Sequence, residues 1–272
     1  MTERALAPPP GALGDVKLIG LGGVGGIVAR YAAIYLAALE RPARLVLIDG
    51  DSFEPRNAER MFFTDYGNKA AVTSADLRRA LGEARFSIVA VESYVCAENL
   101  PRLLREGDTL LLAVDNHATR KLVSDFARER LSDVCLISGG NDGVGADSGG
   151  TSQRGTYGNV QVYLRREGRE LSPALTEFHP EIAEPADQAP TDVSCTQALE
   201  HTPQILFANL AVASAMLSAF WLHLCDALHY PELCFDIHDG RMQPLPLPHG
   251  LGGERALRPR SSSPRPRPGD RP

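Results

Sequence analysis

Apolar residues gather in short runs through the first half of the chain, with helix-patterned stretches between them. Val16–Gly20 reads as a buried strand and Val24–Leu39 as an Ala-rich helix. Arg44–Asp49 is the next strand, and its apolar run ends on acidic residues. Phe86–Val91, Thr109–Val114 and Val134–Ser138 are further runs of strand length, and helical patterns lie around Lys69–Leu81, Ala97–Arg105 and Ala118–Leu131. Strands alternating with helices predict a mostly parallel sheet with right-handed crossovers. Strands covered on both faces should be continuously apolar, as these are. The expected fold is α/β, a doubly wound Rossmann-like sheet with helices on both faces.

The second half changes character. Gly139–Gly158 contains eight glycines and few apolar residues, which predicts a long loop. Gly158–Arg165 alternates as a half-buried strand does, Leu171–Pro203 is a proline-rich crossing segment, and Pro203–His229 is a strongly apolar helix with proline in its first turn. Leu233–His238 is expected as a last strand, so antiparallel strands should be added to the parallel sheet. The stretch 254–272 has six arginines among Pro and Ser and is expected to be a disordered tail. Residues 1–253 then form one domain that includes the crossing segment at about 171–203.

Composition narrows the function. A formal charge of −6 argues against a surface built for nucleic acid. No uninterrupted apolar run reaches the roughly 18 residues of a membrane span, and the start of the chain, with Pro8–Pro10, lacks the pattern of a signal peptide. Five scattered cysteines suit a reducing compartment, which predicts a cytoplasmic protein. None forms a CxxC pair, so no zinc is expected.

The chemistry concentrates at the ends of the predicted strands. Gly20-Leu21-Gly22-Gly23-Val24-Gly25-Gly26 joins a strand to a helix, where glycines let backbone N–H groups approach a nucleotide. Asp49 follows Gly25 by 24 residues and ends the next strand, placed to accept from ribose hydroxyls. Fold alone does not choose between NAD, FAD and ATP. The residues after Asp49 do: Asp51, Asn57, Arg60 and Lys69 supply the positioned polar and cationic groups that a triphosphate needs. The strand ending in Val114-Asp115-Asn116, with Arg120 one turn into the following helix, adds a carboxylate suited to Mg2+.

Taken in order, GxGGVGG, Asp49-x-Asp51, Asn57-x-x-Arg60, Lys69 and Asp115-Asn116-x-x-x-Arg120 resemble the ThiF, MoeB and ubiquitin-activating-enzyme superfamily over about residues 16–240. The resemblance implies that the Asp49 match holds the ribose, the Arg60 and Lys69 matches grip the phosphates, and the Asp115 match organises magnesium. It places the Asn57 match beside the α-phosphate. It also implies ATP-dependent adenylation of a carrier's C-terminal carboxylate. Ser194-Cys195-Thr196-Gln197, ahead of the helix containing Asn209, resembles the family's crossover segment, which makes Cys195 the expected acceptor of a thioester. Cys96, Cys135, Cys225 and Cys234 lie in apolar stretches and are expected to be buried. His179 and His201 are expected at the surface.

The compact layout resembles bacterial enzymes that activate a ubiquitin-like protein and pass it to a conjugating enzyme, and relatives of that kind imply a homodimer. The family's zinc-binding CxxC pairs, large cysteine domain and ubiquitin-fold domain have no counterpart here. Within the same chemistry the alternative is a sulfur-carrier-protein adenylyltransferase for cofactor or tRNA thiolation. From other classes come an NAD-dependent reductase, disfavoured by Lys69 and Asp115, and an inactive carrier-binding scaffold.

Overall fold

The computed structural model describes residues 6–9, 13–59, 61–82, 86–146, 152–177, 179–192 and 204–246. In chain order the elements are β1 (Asp15–Ile19), α1 (Gly23–Ala38), β2 (Ala43–Ile48), β3 (Ser52–Phe53), a 3-10 turn (Pro55–Glu59), β4 (Gly67–Asn68), α2 (Lys69–Leu81) and β5 (Phe86–Val91). Then follow α3 (Leu100–Leu103), β6 (Asp108–Leu112), α4 (His117–Arg130), β7 (Val134–Asn141), β8 (Val144–Ala146), β9 (Ser152–Arg154) and β10 (Tyr157–Arg166). The last are β11 (Arg169–Glu170), α5 (Pro180–Ala183), α6 (Leu206–Leu224), β12 (Glu232–Asp236) and β13 (Arg241–Leu245).

The main sheet runs β13-β12-β10-β7-β6-β1-β2-β5, with β11 paired to β10. Strands β5, β2, β1, β6 and β7 are parallel, whereas β10, β12 and β13 are antiparallel additions. From β1 the chain winds outward to β2 and β5, then returns to β6 and β7 on the other side. That reversal opens a crevice at the carboxyl ends of β1 and β6, the place where open α/β sheets bind ligands.

Two cores form because the inner parallel strands β1, β2, β6 and β7 are covered on both faces. Leu18, Leu47, Leu111 and Ile137 pack under Val28, Ala32 and Leu36 of α1 and Val212, Met216 and Phe220 of α6. Their neighbours Ile19, Ile48, Leu110, Leu112 and Leu136 face Val123 and Ala127 of α4 and Ile182 of α5. Each such side chain contributes roughly 1.5–3 kcal/mol by leaving water, so both cores resist a polar substitution.

Departures from the sequence pattern have local causes. The helix expected over Ala97–Arg105 shrinks to Leu100–Leu103, because Pro101 has no N–H and fits only a first turn. The expected loop Gly139–Gly158 instead extends β7 to Asn141 and folds the β8–β9 hairpin, with Val144 opposite Arg154. Strand β13 was not foreseen; Pro244 interrupts its pattern, which an outer edge strand tolerates. The long apolar helix is shorter than Pro203–His229, spanning Leu206–Leu224. Against the expectation from uninterrupted apolar runs, that helix is long and apolar enough to cross a membrane by length and composition. Here one of its faces lies in the sheet core through Val212, Met216 and Phe220. The tail 254–272 lies outside the described residues, as do Arg60, Cys195 and His201.

Candidate functional site

The glycine loop is shaped by three close constraints and one opening. Gly20 sits at φ +88 and its N–H donates to Ile48 O at 3.0 Å, a conformation that L residues rarely adopt. A Cβ on Gly25 would stand 1.9 Å from the Gly20 carbonyl oxygen, and one on Gly23 would stand 2.4 Å from Asn209 Nδ2. At Gly22, by contrast, a Cβ would meet nothing within 4 Å. Gly22 is also the N-cap of α1, which has no side-chain cap and no acidic residue in its first turn. The uncapped N–H groups and the helix dipole together make this end receptive to an anion.

Asp49 ends β2 beside that loop and is 8% exposed. Its Oδ2 accepts from Leu21 N at 2.6 Å and its Oδ1 from Asp51 N at 2.7 Å, so the carboxylate is aimed by backbone groups on both sides. Burial raises its pKa, opposed by Lys69 and by the two N–H groups. Asp51 accepts from Lys69 Nζ at 3.0 Å and from the Tyr94 hydroxyl. Burial, with the neighbouring carboxylates Asp51, Asp49 and Asp115, raises the Tyr94 pKa. Tyr94 therefore sits among these acids at the crevice, and its ring lies 2.5 Å from where a Gly50 Cβ would be.

The segment carrying Lys69 is tied to the same turn. Asn68 Nδ2 donates to Asp49 O at 2.8 Å, and Asn68 Oδ1 caps α2 by accepting from Ala70 N at 2.9 Å. Asn57 is buried, and its Oδ1 accepts from Glu54 N at 2.8 Å, closing the 3-10 turn. Asp49, Asp51, Asn57 and Lys69 are thus brought to one edge of the sheet. Sequence reasoning missed Asn68 and Tyr94. The first was detectable as an N-cap residue ahead of Lys69-Ala70-Ala71, whereas nothing in the irregular stretch around Tyr94 marks it.

Across the crevice, Asp115 and Asn116 lead into α4. Asn116 Oδ1 caps the helix by accepting from Thr119 N at 2.8 Å. Asp187, from the crossing segment, accepts from His117 N at 2.7 Å and Ala118 N at 2.8 Å at the same helix end. Arg120, expected at the nucleotide site, is buried, and its guanidinium donates to Ser138 Oγ at 2.8 Å, Val114 O at 2.7 Å and Gly139 O at 2.9 Å. Burial lowers its pKa to about 10, while Asp115 opposes that shift. Arg120 ties the segment after β6 to the end of β7. Among the described residues, no group of three or more His, Cys, Asp or Glu could hold a metal ion.

The crossing segment is also clipped to the sheet. His179 places Nδ1 2.9 Å from Glu181 and Nε2 3.1 Å from Glu232, which also accepts from Asn159 Nδ2 at 2.9 Å. Burial lowers the His179 pKa, but the bonds to Glu232 and Glu181 outweigh it, so the net shift is upward. A raised histidine pKa stabilises the fold fully below its unfolded value, and that contribution is lost as pH rises through the folded pKa. Urea denaturation across pH 6–9 should therefore show wild type losing stability relative to His179→Gln as pH increases. Parallel curves would mean that the clip carries no charge.

The cysteines differ from expectation. Only Cys135 is buried among the four described, and burial pushes its thiol up to about 12. Cys96, Cys225 and Cys234 are half-buried, and Cys234 accepts from the Tyr157 hydroxyl at 3.2 Å.

Solved structures share this fold. Escherichia coli MccB with SeMet MccA matches at 12% identity and TM-score 0.60, covering 86% of this chain and 64% of that one. E. coli MccB with ATP matches at 12% identity and TM-score 0.59, covering 89% and 64%. PaaA matches at 15% identity and TM-score 0.56, covering 86% and 64%. The chain thus spans somewhat less than two thirds of the length of these structures. No curated protein matches it in sequence. The ThiF family profile matches residues 14–220, more than half of the chain, and the protein belongs to the ThiF family.

Proposed function

We propose that this protein adenylates the C-terminal carboxylate of a ubiquitin-like protein with ATP and Mg2+. The observation that carries this reading is the uncapped N-terminus of α1, open above Gly22 and flanked by Asp49 and Lys69. The MccB structure holding ATP supports a nucleotide on this fold. In the proposed reaction a carboxylate oxygen bonds to the α-phosphorus, the α–β bridging bond breaks, and pyrophosphate leaves with its electron pair. The chain's part is placement and charge neutralisation. Asp49 would orient the ribose, the α1 N–H groups and Lys69 the phosphates, with Arg60 as a further cation from outside the described residues. Asn57 closes the turn beside them. Magnesium would arrive on the triphosphate, neutralise charge developing there, and meet Asp115, which suits an ion that keeps few protein ligands.

In the second proposed step the Cys195 thiolate attacks the acyl carbon, AMP leaves, and the thioester passes to a conjugating enzyme. A second reading keeps the chemistry and changes the substrate, to a sulfur-carrier protein for cofactor or tRNA thiolation or to a short peptide. MccB, whose structures hold MccA, supports a substrate outside the ubiquitin-like class. The assembly proposed is a homodimer, since α1 exposes Tyr31 and Ile34 and α6 exposes Leu210 and Phe207, the latter at 69%; light scattering reads this directly. The cytoplasm is the proposed compartment, consistent with four free cysteines among the described residues.

Pyrophosphate exchange tests the reading. Exchange should require ATP, magnesium and a carrier with a free C-terminal carboxylate, and an amidated C-terminus should abolish it. Exchange with a short peptide but not with a folded carrier would shift the reading to the second substrate class. Cys195→Ala should still exchange pyrophosphate but form no thiol-cleavable adduct on a non-reducing gel. If wild type forms none while conjugation proceeds, Cys195 is not the acceptor.

A further inference from the structure

Asn209 is out of place chemically. It lies in the first turns of α6 and is 0% exposed, within a core-facing stripe that otherwise carries Ala208, Val212, Ala213 and Met216. Its main chain is ordinary, the N–H donating to Ile205 O at 3.1 Å. Yet neither Nδ2 nor Oδ1 has a hydrogen-bond partner among the described residues. Folded proteins seldom leave both ends of a buried amide unmade, because the group has given up water for nothing.

The direction of that amide supplies the second observation. It points at the first residue of α1: a Gly23 Cβ would stand 2.4 Å from Nδ2 and 3.3 Å from Cγ, with Gln204 Oε1 3.8 Å from the same point. One residue earlier, a Gly22 Cβ would meet nothing within 4 Å among the described residues, and α1 has no side-chain cap. An amide both donates and accepts. Oδ1 can take one of the orphan N–H groups of the first turn while Nδ2 donates to an anion bound there. A leucine would complete the apolar stripe but could do neither.

We propose that Asn209 is a positioning residue of the nucleotide site, whose amide makes its hydrogen bonds when a phosphate group occupies the N-terminus of α1. The inference rests on the nucleotide reading given above. It implies opposite effects on the empty and loaded states, which a packing residue does not show. Asn209→Leu and Asn209→Ala in the full chain are compared with wild type by thermal melting and by calorimetric titration with Mg-ATP. In Asn209→Leu the empty-state melting temperature should hold or rise. The ATP-induced rise should be lost, and ATP affinity should fall at least tenfold. Asn209→Ala, which adds no bulk against Gly23, should show the same loss of affinity even if it melts earlier.

Variants that melt earlier but bind ATP as wild type does would make Asn209 a packing residue and overturn the proposal alone. Failure of both variants to fold would have the same meaning. A wild type that shows no ATP response would overturn the nucleotide reading and this inference with it.

Discussion

Gly25→Ala should destabilise the protein by about 4 kcal/mol or more, at the large end for a single substitution, whether or not nucleotide is present. The added methyl group would stand 1.9 Å from the Gly20 carbonyl oxygen. That oxygen belongs to a turn fixed from two sides, by the hydrogen bond from Gly20 N to Ile48 O and by the Ala113 backbone 2.9 Å from any Gly20 Cβ. No flexible side chain can give way, so the first turn of α1 must lift from the sheet. Gly22→Val should behave in the opposite manner. Its backbone at φ −70 and ψ −157 is extended and open to any residue, and the cost should stay within about 1 kcal/mol, the scale of a poorer N-cap. The branched side chain would then fill the space above the loop and abolish ATP binding. Urea titrations and calorimetry on the two variants separate the roles. Equal destabilisation would refute the assignment of constraint to Gly25, and unchanged ATP affinity in Gly22→Val would move the nucleotide elsewhere.

Lys69→Ala should slow pyrophosphate exchange by about 2–4 kcal/mol of transition-state stabilisation, the range for a lost anion-stabilising donor. Its effect on folding should be intermediate. Lys69 is buried but its partner Asp51 is 43% exposed, so the loss should exceed the contribution of about 0–1 kcal/mol from a fully exposed pair and stay below that of breaking a fully buried one. The lysine is held in the absence of substrate by a carboxylate that a triphosphate can outcompete, so its position is set before the ligand arrives. Asp115→Ala should abolish magnesium-dependent exchange while the protein remains folded. A Lys69→Ala variant with exchange within threefold of wild type would remove Lys69 from the phosphates, and normal exchange in Asp115→Ala would do the same for that residue.

Much of this arrangement was legible before any coordinates. Strands β1, β2, β6 and β7 could be read because both faces are buried, so Leu18, Ile19, Leu47 and Ile48 form unbroken apolar runs. The glycine loop, Asp49, Asp51 and Lys69 could be read because a strand end, a turn and a helix start impose fixed residue types. Arg120 could be read as a member of the motif but not as a buried brace. Its burial is visible only once β7 delivers Ser138 Oγ and Gly139 O to it. Tyr94 was invisible for a related reason, since its partner Asp51 is 43 residues away in sequence. The β8–β9 hairpin and β13 were missed because glycine and proline read as breakers when the partner strand is unknown. The reach of the crossing segment onto Glu232 and α4 likewise depends on long-range pairing that local pattern does not encode.

Two helices begin at the crevice, and they differ in what they offer an incoming ligand. The start of α4 is already satisfied from within the chain, by Asn116 and by the carboxylate of Asp187. The start of α1 has no such occupant among the described residues. On the proposed nucleotide reading, a polyanion entering between β1 and β6 would meet a filled berth on one wall and, among the described residues, an open one on the other. The heading of the ligand would then be set by subtraction, because an acid of the chain itself holds the start of α4. Removing Asp187 would uncover the N–H groups of His117 and Ala118 and, on that reading, offer phosphates a second place to settle.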